Sequence, residues 1–141
     1  MFRFVVLMWD PAEHAQRAVA RSLARDLETP GTGWRVAFDS DGMKVLCAGE
    51  RAGSMQAYIL HDGGGVVLGT LFARLQDDSS RPRITALRRD ESMCIVASKG
   101  QALVEAYWGR YVAFICDPED RRHRVMRDYM EIGRASCRER V

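Results

Sequence analysis

The chain has no asparagine, so that side chain cannot serve as an oxyanion donor anywhere in it. No apolar run approaches the roughly 20 residues a membrane helix needs, and low-complexity segments and internal repeats are absent. The opening run Phe2 to Trp9 has one basic residue and no small-residue cleavage site before Asp10-Pro11, which argues against a secretory signal and for a cytoplasmic location. Cys47, Cys94, Cys116 and Cys137 lack paired spacing, so reduced thiols are expected rather than a disulfide framework. His14, His61 and His123 are scattered, and no two converge as metal ligands or locally orient a cysteine nucleophile. Lysine is confined to Lys44 and Lys99, but arginine leaves a net charge of only +2, too small to imply nucleic acid or a membrane surface.

What is present suits one globular domain. The 141 residues are 47% hydrophobic and 28% charged, enough to bury a core. Phe2 to Trp9 reads as a buried strand placed centrally in a sheet. Asp10-Pro11-Ala12-Glu13 has the chemistry of a helix start, and the helix should run to Leu27 on a stripe of Ala12, Ala15, Val19, Leu23 and Leu27. Arg17, Arg21 and Arg25 then share the opposite, solvated face.

Strand patterns follow. Trp34–Asp39 and Met43–Ala48 flank the turn Ser40-Asp41-Gly42 and predict a hairpin. Gln56–Leu60 and Val66–Phe72 flank His61-Asp62-Gly63-Gly64-Gly65, whose glycines lead into a strand rather than a helix, so a turn is expected and not a phosphate cradle. Helical stretches are expected from Arg89 to Ala97 and from Lys99 to Trp108, jointed at Gly100, with Gly109 ending the second. Tyr111–Cys116 and His123–Arg127 then form strands around the charged turn Pro118 to Arg122.

The stretch Ala106 to Asp117, AYWGRYVAFICD, resembles the glutamine amidotransferase domain of asparagine synthetase-type proteins. Tyr107, Trp108, Gly109, Tyr111-Val112-Ala113-Phe114 and Asp117 stand where that family has a helix end, a glycine, an aromatic-alanine-aromatic strand and an aspartate. Arg127-Asp128 matches the Arg-Asp pair that closes its next strand, and the Trp-Gly-Arg-Tyr form looks most like asparagine synthetase-related lasso-peptide macrolactam cyclases. The resemblance implies an α+β fold, an N-terminal nucleophile-hydrolase-like α-β-β-α sandwich of antiparallel sheets, C-terminally truncated here. Residues 1–130 would be the incomplete domain. Residues 131–141, EIGRASCRERV, read as the translation of a sequencing adapter rather than natural protein.

Active members use an N-terminal cysteine nucleophile and an Asn-Gly pair that holds the oxyanion. This chain has Phe2 and Gly69-Thr70 at those places, so no catalytic residue is expected and glutamine should not be hydrolysed. Ser54 and Thr70 are poor substitute nucleophiles, since neither has a plausible base beside it in sequence. Arg51 could take the place of the family's glutamine-carboxylate arginine, but an ordinary exposed loop arginine is the favoured reading.

The resemblance further implies a partner synthetase domain in the same chain that uses ATP and magnesium to adenylate a carboxylate. The amide formed would be asparagine, or the macrolactam of a precursor peptide. The Ser-Gly-Gly-x-Asp-Ser loop of that domain is absent from these residues, and no cofactor is expected in this part. The alternative is a stand-alone, non-catalytic binding or docking module with the same fold.

Overall fold

A computed structural model describes residues 2–49, 55–74 and 83–127. Among these described residues, seven strands and three helices follow in the order β1 (Arg3–Met8), α1 (His14–Leu27), β2 (Arg35–Ser40), β3 (Met43–Ala48), β4 (Gln56–Leu60), β5 (Gly65–Ala73), α2 (Arg89–Ala97), α3 (Gln101–Ala106), β6 (Tyr107–Cys116) and β7 (His123–Arg127). They form two antiparallel sheets, one ordered β1-β3-β2 and the other β4-β5-β6-β7. The architecture is mixed α+β.

Strand alternation builds the layers. Phe38, Met43, Val45 and Cys47 of the first sheet pack on Val66, Leu68 and Phe114 of the second. The other face of the second sheet, including Tyr58, Leu60, Val67, Leu71, Tyr111 and Ile115, packs on Leu87, Ile95 and Leu103 from the α2–α3 segment. Most of these side chains are fully enclosed, and burying each Val, Leu or Ile contributes about 2 kcal/mol. On the outer face of the first sheet, Lys44 reaches Glu28 at the end of α1 at 2.6 Å and Asp39 on β2 at 3.7 Å. The layers therefore run α1, first sheet, second sheet, α2 and α3.

Four sequence expectations change. First, β1 lies at an edge of its sheet among the described residues, not at its centre. It is not a buried strand either: none of its residues is fully buried, Phe4 and Met8 are 40% and 41% exposed, and Val6 is the side chain it packs against the cluster between the sheets, so the apolar run marks a half-covered edge strand.

Second, α1 begins at His14 with Glu13 as its cap. Asp10 instead shapes a turn, its Oδ1 accepting from Ala12 N at 2.9 Å and its carbonyl from Glu13 N at 3.0 Å. Third, the helix face is rotated. Ala20 and Ala24 are buried, whereas Val19 and Leu23 are 60% and 48% exposed. The small alanines let the helix approach the sheet, and Arg17 turns inward to donate to Pro11 O at 2.9 Å and Asp41 Oδ1 at 3.1 Å.

Fourth, Gly109 does not end a helix. The helix stops at Ala106, and Tyr107 and Trp108 already pair with Ala73 and Phe72 as the first residues of β6. Trp108 stacks on Phe72 with ring centroids 4.6 Å apart, which commits the chain to the extended state before the glycine is reached.

Candidate functional site

The resemblance asks for a nucleophile at position 2 and an oxyanion donor at position 69. Phe2 packs against the cluster between the two sheets, with its ring 6.4 Å from that of Phe4. Phe4 in turn meets Phe114 edge-on at 6.0 Å, so the first residues are fastened to the second sheet by aromatic contacts. Nothing at position 2 can attack a carbonyl.

Gly69 lies inside β5, between Gln56 on β4 and Tyr111 on β6, and the strand continues past Thr70 to Ala73. Its φ is +140°, and a Cβ there would stand 2.1 Å from the carbonyl oxygen of Arg110. The backbone is therefore one that an asparagine cannot adopt in place. Thr70 pairs with Arg110 within the same strand pair and has no histidine partner among its described contacts.

The signature residues gather on β6 and the hairpin after it. Trp108 and Tyr111 face the β5 pairing and the helix-side core, and Gly109 sits opposite Leu71 with φ +142°. Asp117, 4% exposed, ties the β6–β7 turn: its Oδ1 accepts from Glu119 N at 2.9 Å, and its own N donates to Arg122 O at 3.0 Å. Lys99 Nζ and an Arg124 guanidinium nitrogen flank Asp117 Oδ2 at 3.8 and 3.7 Å. Arg127 ends β7 opposite Val112. These placements make Trp108, Gly109, Tyr111 and Asp117 structural residues. Met1, Arg51, Ser54, Asp128, Cys137 and the tail 131–141 lie outside the described residues.

No family model, curated protein or solved structure matches this chain.

One pair was missed in the sequence. Cys116 closes β6, His123 opens β7, and the antiparallel register makes them direct partners with Sγ 3.4 Å from Nδ1. The signal lay in the hairpin itself, because residues that end and begin consecutive antiparallel strands must face one another. Both line a cavity of about 1010 Å³ together with Trp9, Gln16, Ser40 and Asp117. Burial pushes the Cys116 thiol up, while a hydrogen bond with Ser40 pulls it down. Among the described residues no group of three or more His, Cys, Asp or Glu side chains could hold a metal ion, and no helix is long and apolar enough to cross a membrane.

Proposed function

We propose that this chain is a glutaminase-deficient, amidotransferase-like domain of an asparagine synthetase-related, ATP-dependent amide ligase. Its fold in this reading is the α-β-β-α sandwich of the N-terminal nucleophile hydrolases, and it works in the cytoplasm as a scaffold beside a synthetase domain. That domain would take ATP and magnesium, adenylate a carboxylate and join it to an amine, either toward asparagine or to close the macrolactam of a lasso peptide. A macrolactam cyclase needs no ammonia, since the amine is the peptide's own, so a silent glutaminase half is compatible with the chemistry.

The observation that carries this reading is the pair of apolar or side-chain-less residues at both reactive places within a matching layer order. Phe2 is packed between the sheets and Gly69 occupies a backbone closed to asparagine. Without a thiolate no tetrahedral intermediate forms, and without the side-chain donor its oxyanion would lose a stabilisation of about 3 kcal/mol.

Two measurements test the proposal. A coupled assay of glutamate release by the purified chain should stay at the blank, and turnover above it overturns the glutaminase-deficient part. Genomic sequence read through codon 128 should reveal an adenylate-forming region with the Ser-Gly-Gly-x-Asp-Ser pattern. A stop codon soon after Asp128 would instead favour the stand-alone docking module.

A further inference from the structure

The thiol and imidazole at the mouth of the β6–β7 hairpin have no part in the scaffold role. Sγ of Cys116 and Nδ1 of His123 are 3.4 Å apart, so a His123 tautomer with Nδ1 unprotonated accepts the thiol proton directly. The two residues open on the same cavity, which is roomy enough at about 1010 Å³ for a small organic molecule. This is a nucleophile and a base within reach of each other beside free space.

The surroundings decide in which form the pair works. Asp117 is held by Lys99 and Arg124, and Asp41 by Arg17, while Asp10 Oδ1 accepts from Ala12 N. Arg121 and Arg122 stand exposed on the rim. Burial favours the neutral thiol, so the sulfur must lose its proton as it attacks rather than beforehand. A base fixed across the hairpin provides for that.

The other described cysteines differ in one respect each. Cys47 is fully enclosed between the sheets, and Cys94 is exposed on α2. The first lacks access, and the second has no histidine within hydrogen-bonding reach among its described contacts.

We propose that Cys116 is a covalent acceptor for small activated acyl groups, with His123 as its base. In the step, the Cys116 Sγ–H proton passes to His123 Nδ1 while sulfur bonds to the acyl carbon. The carbon–oxygen bond to the leaving group then breaks, and that oxygen departs with the electron pair and takes up the proton from the imidazolium. The product is a thioester on Cys116. This inference stands apart from the proposed scaffold role, since it concerns neither glutamine nor position 2.

The probe is 4-nitrophenyl acetate applied to the full chain, with nitrophenolate release followed by absorbance and acetyl groups located by peptide mass mapping. One acetyl group is expected on Cys116, removable by neutral hydroxylamine. His123→Gln should slow acetylation of Cys116 about 100-fold and leave that of Cys94 unchanged. His123→Ala should regain the lost rate when free imidazole is added. Absence of acetyl on Cys116 in the unaltered chain overturns the proposal without any variant, and so does an equal Cys116 rate in a folded His123→Gln protein.

Discussion

Gly69 and Gly109 face each other diagonally across the β5–β6 pairing, and each takes the space into which the other strand's carbonyl projects. A Cβ on Gly69 would meet Arg110 O at 2.1 Å, and one on Gly109 would meet Thr70 O at 2.0 Å. Since Thr70 and Arg110 are themselves register partners, the two glycines bracket one strand pair. The close approach sits at the middle of the four-stranded sheet.

Gly109→Ala and Gly69→Ala should each destabilise the fold by about 3 kcal/mol, because the added carbon meets backbone and the positive φ strains any L-residue. Gly63 provides the comparison, with φ +71° and no heavy atom within 4 Å of the place a Cβ would take. Gly63→Asn should change stability by less than about 1 kcal/mol, since asparagine tolerates the left-handed region. Urea unfolding followed by circular dichroism measures all three. Equal midpoints for Gly109→Ala and Gly63→Asn would refute the steric account.

Asp117 gives a second prediction. Its Oδ1 anchors the turn through Glu119 N, whereas Lys99 and Arg124 have side chains 50% and 36% exposed and stand beyond hydrogen-bond distance. Asp117 Oδ2 is itself buried with no hydrogen-bond partner, so the two cations offset the cost of burying its charge rather than add net stability, and the turn hydrogen bond carries most of the effect. Asp117→Ala should cost about 2 kcal/mol and Asp117→Asn, which keeps an acceptor oxygen, about 1 kcal/mol, both read from urea midpoints. A larger loss for the Asn variant would mean that the charge matters more than the turn.

Legibility followed the range of the interactions. The β2–β3 hairpin, the β4–β5 pair and the β6–β7 hairpin were readable because period-two patterns flank short turns at Ser40-Asp41-Gly42, His61 to Gly64 and Pro118 to Arg122. The position of β1 was not, since an apolar run carries no information on lateral neighbours, and here it belongs to a half-covered edge strand. The working face of α1 was misread because hydrophobicity favours Val19 and Leu23, whereas close packing on a sheet selected Ala20 and Ala24. Gly109 was misplaced because a glycine suits a close strand crossing as well as a helix end, and the facing residue Leu71 tells them apart. Of the candidate site, Phe2 and Gly69 could be named from sequence, but the closure of position 69 to asparagine required the neighbouring strand.

That closure leads to a third prediction, which tests the proposed amidotransferase reading. Phe2→Cys supplies a thiol and a small second residue that permits removal of Met1, yet the oxyanion donor is still missing. Glutamate release should remain at the blank in Phe2→Cys. Adding Gly69→Asn should not help, because the new side chain meets Arg110 O, and the double variant should lose about 3 kcal/mol of stability. Glutamine turnover by Phe2→Cys alone would show that position 69 is not the obstacle, and turnover by the double variant alone would show that the backbone there accepts asparagine after all.

A last prediction concerns alkaline pH and Tyr107, the residue at which α3 gives way to β6. Burial, then the charge of Glu91 and a hydrogen bond to it, push the Tyr107 phenol up to about 12. An unfolded tyrosine ionises near 10, so the unfolded chain loses this proton first as pH rises. The folded state binds the proton more tightly, and the resulting contribution to stability is complete below pH of about 10 and disappears as pH climbs toward about 12. The urea midpoint should therefore fall across that interval. Tyr107→Phe removes the ionisable hydroxyl but keeps the ring in its buried place, and its midpoint should fall less steeply over the same range. Parallel curves for the two proteins would assign the alkaline loss to other groups and leave Tyr107 without a part in it.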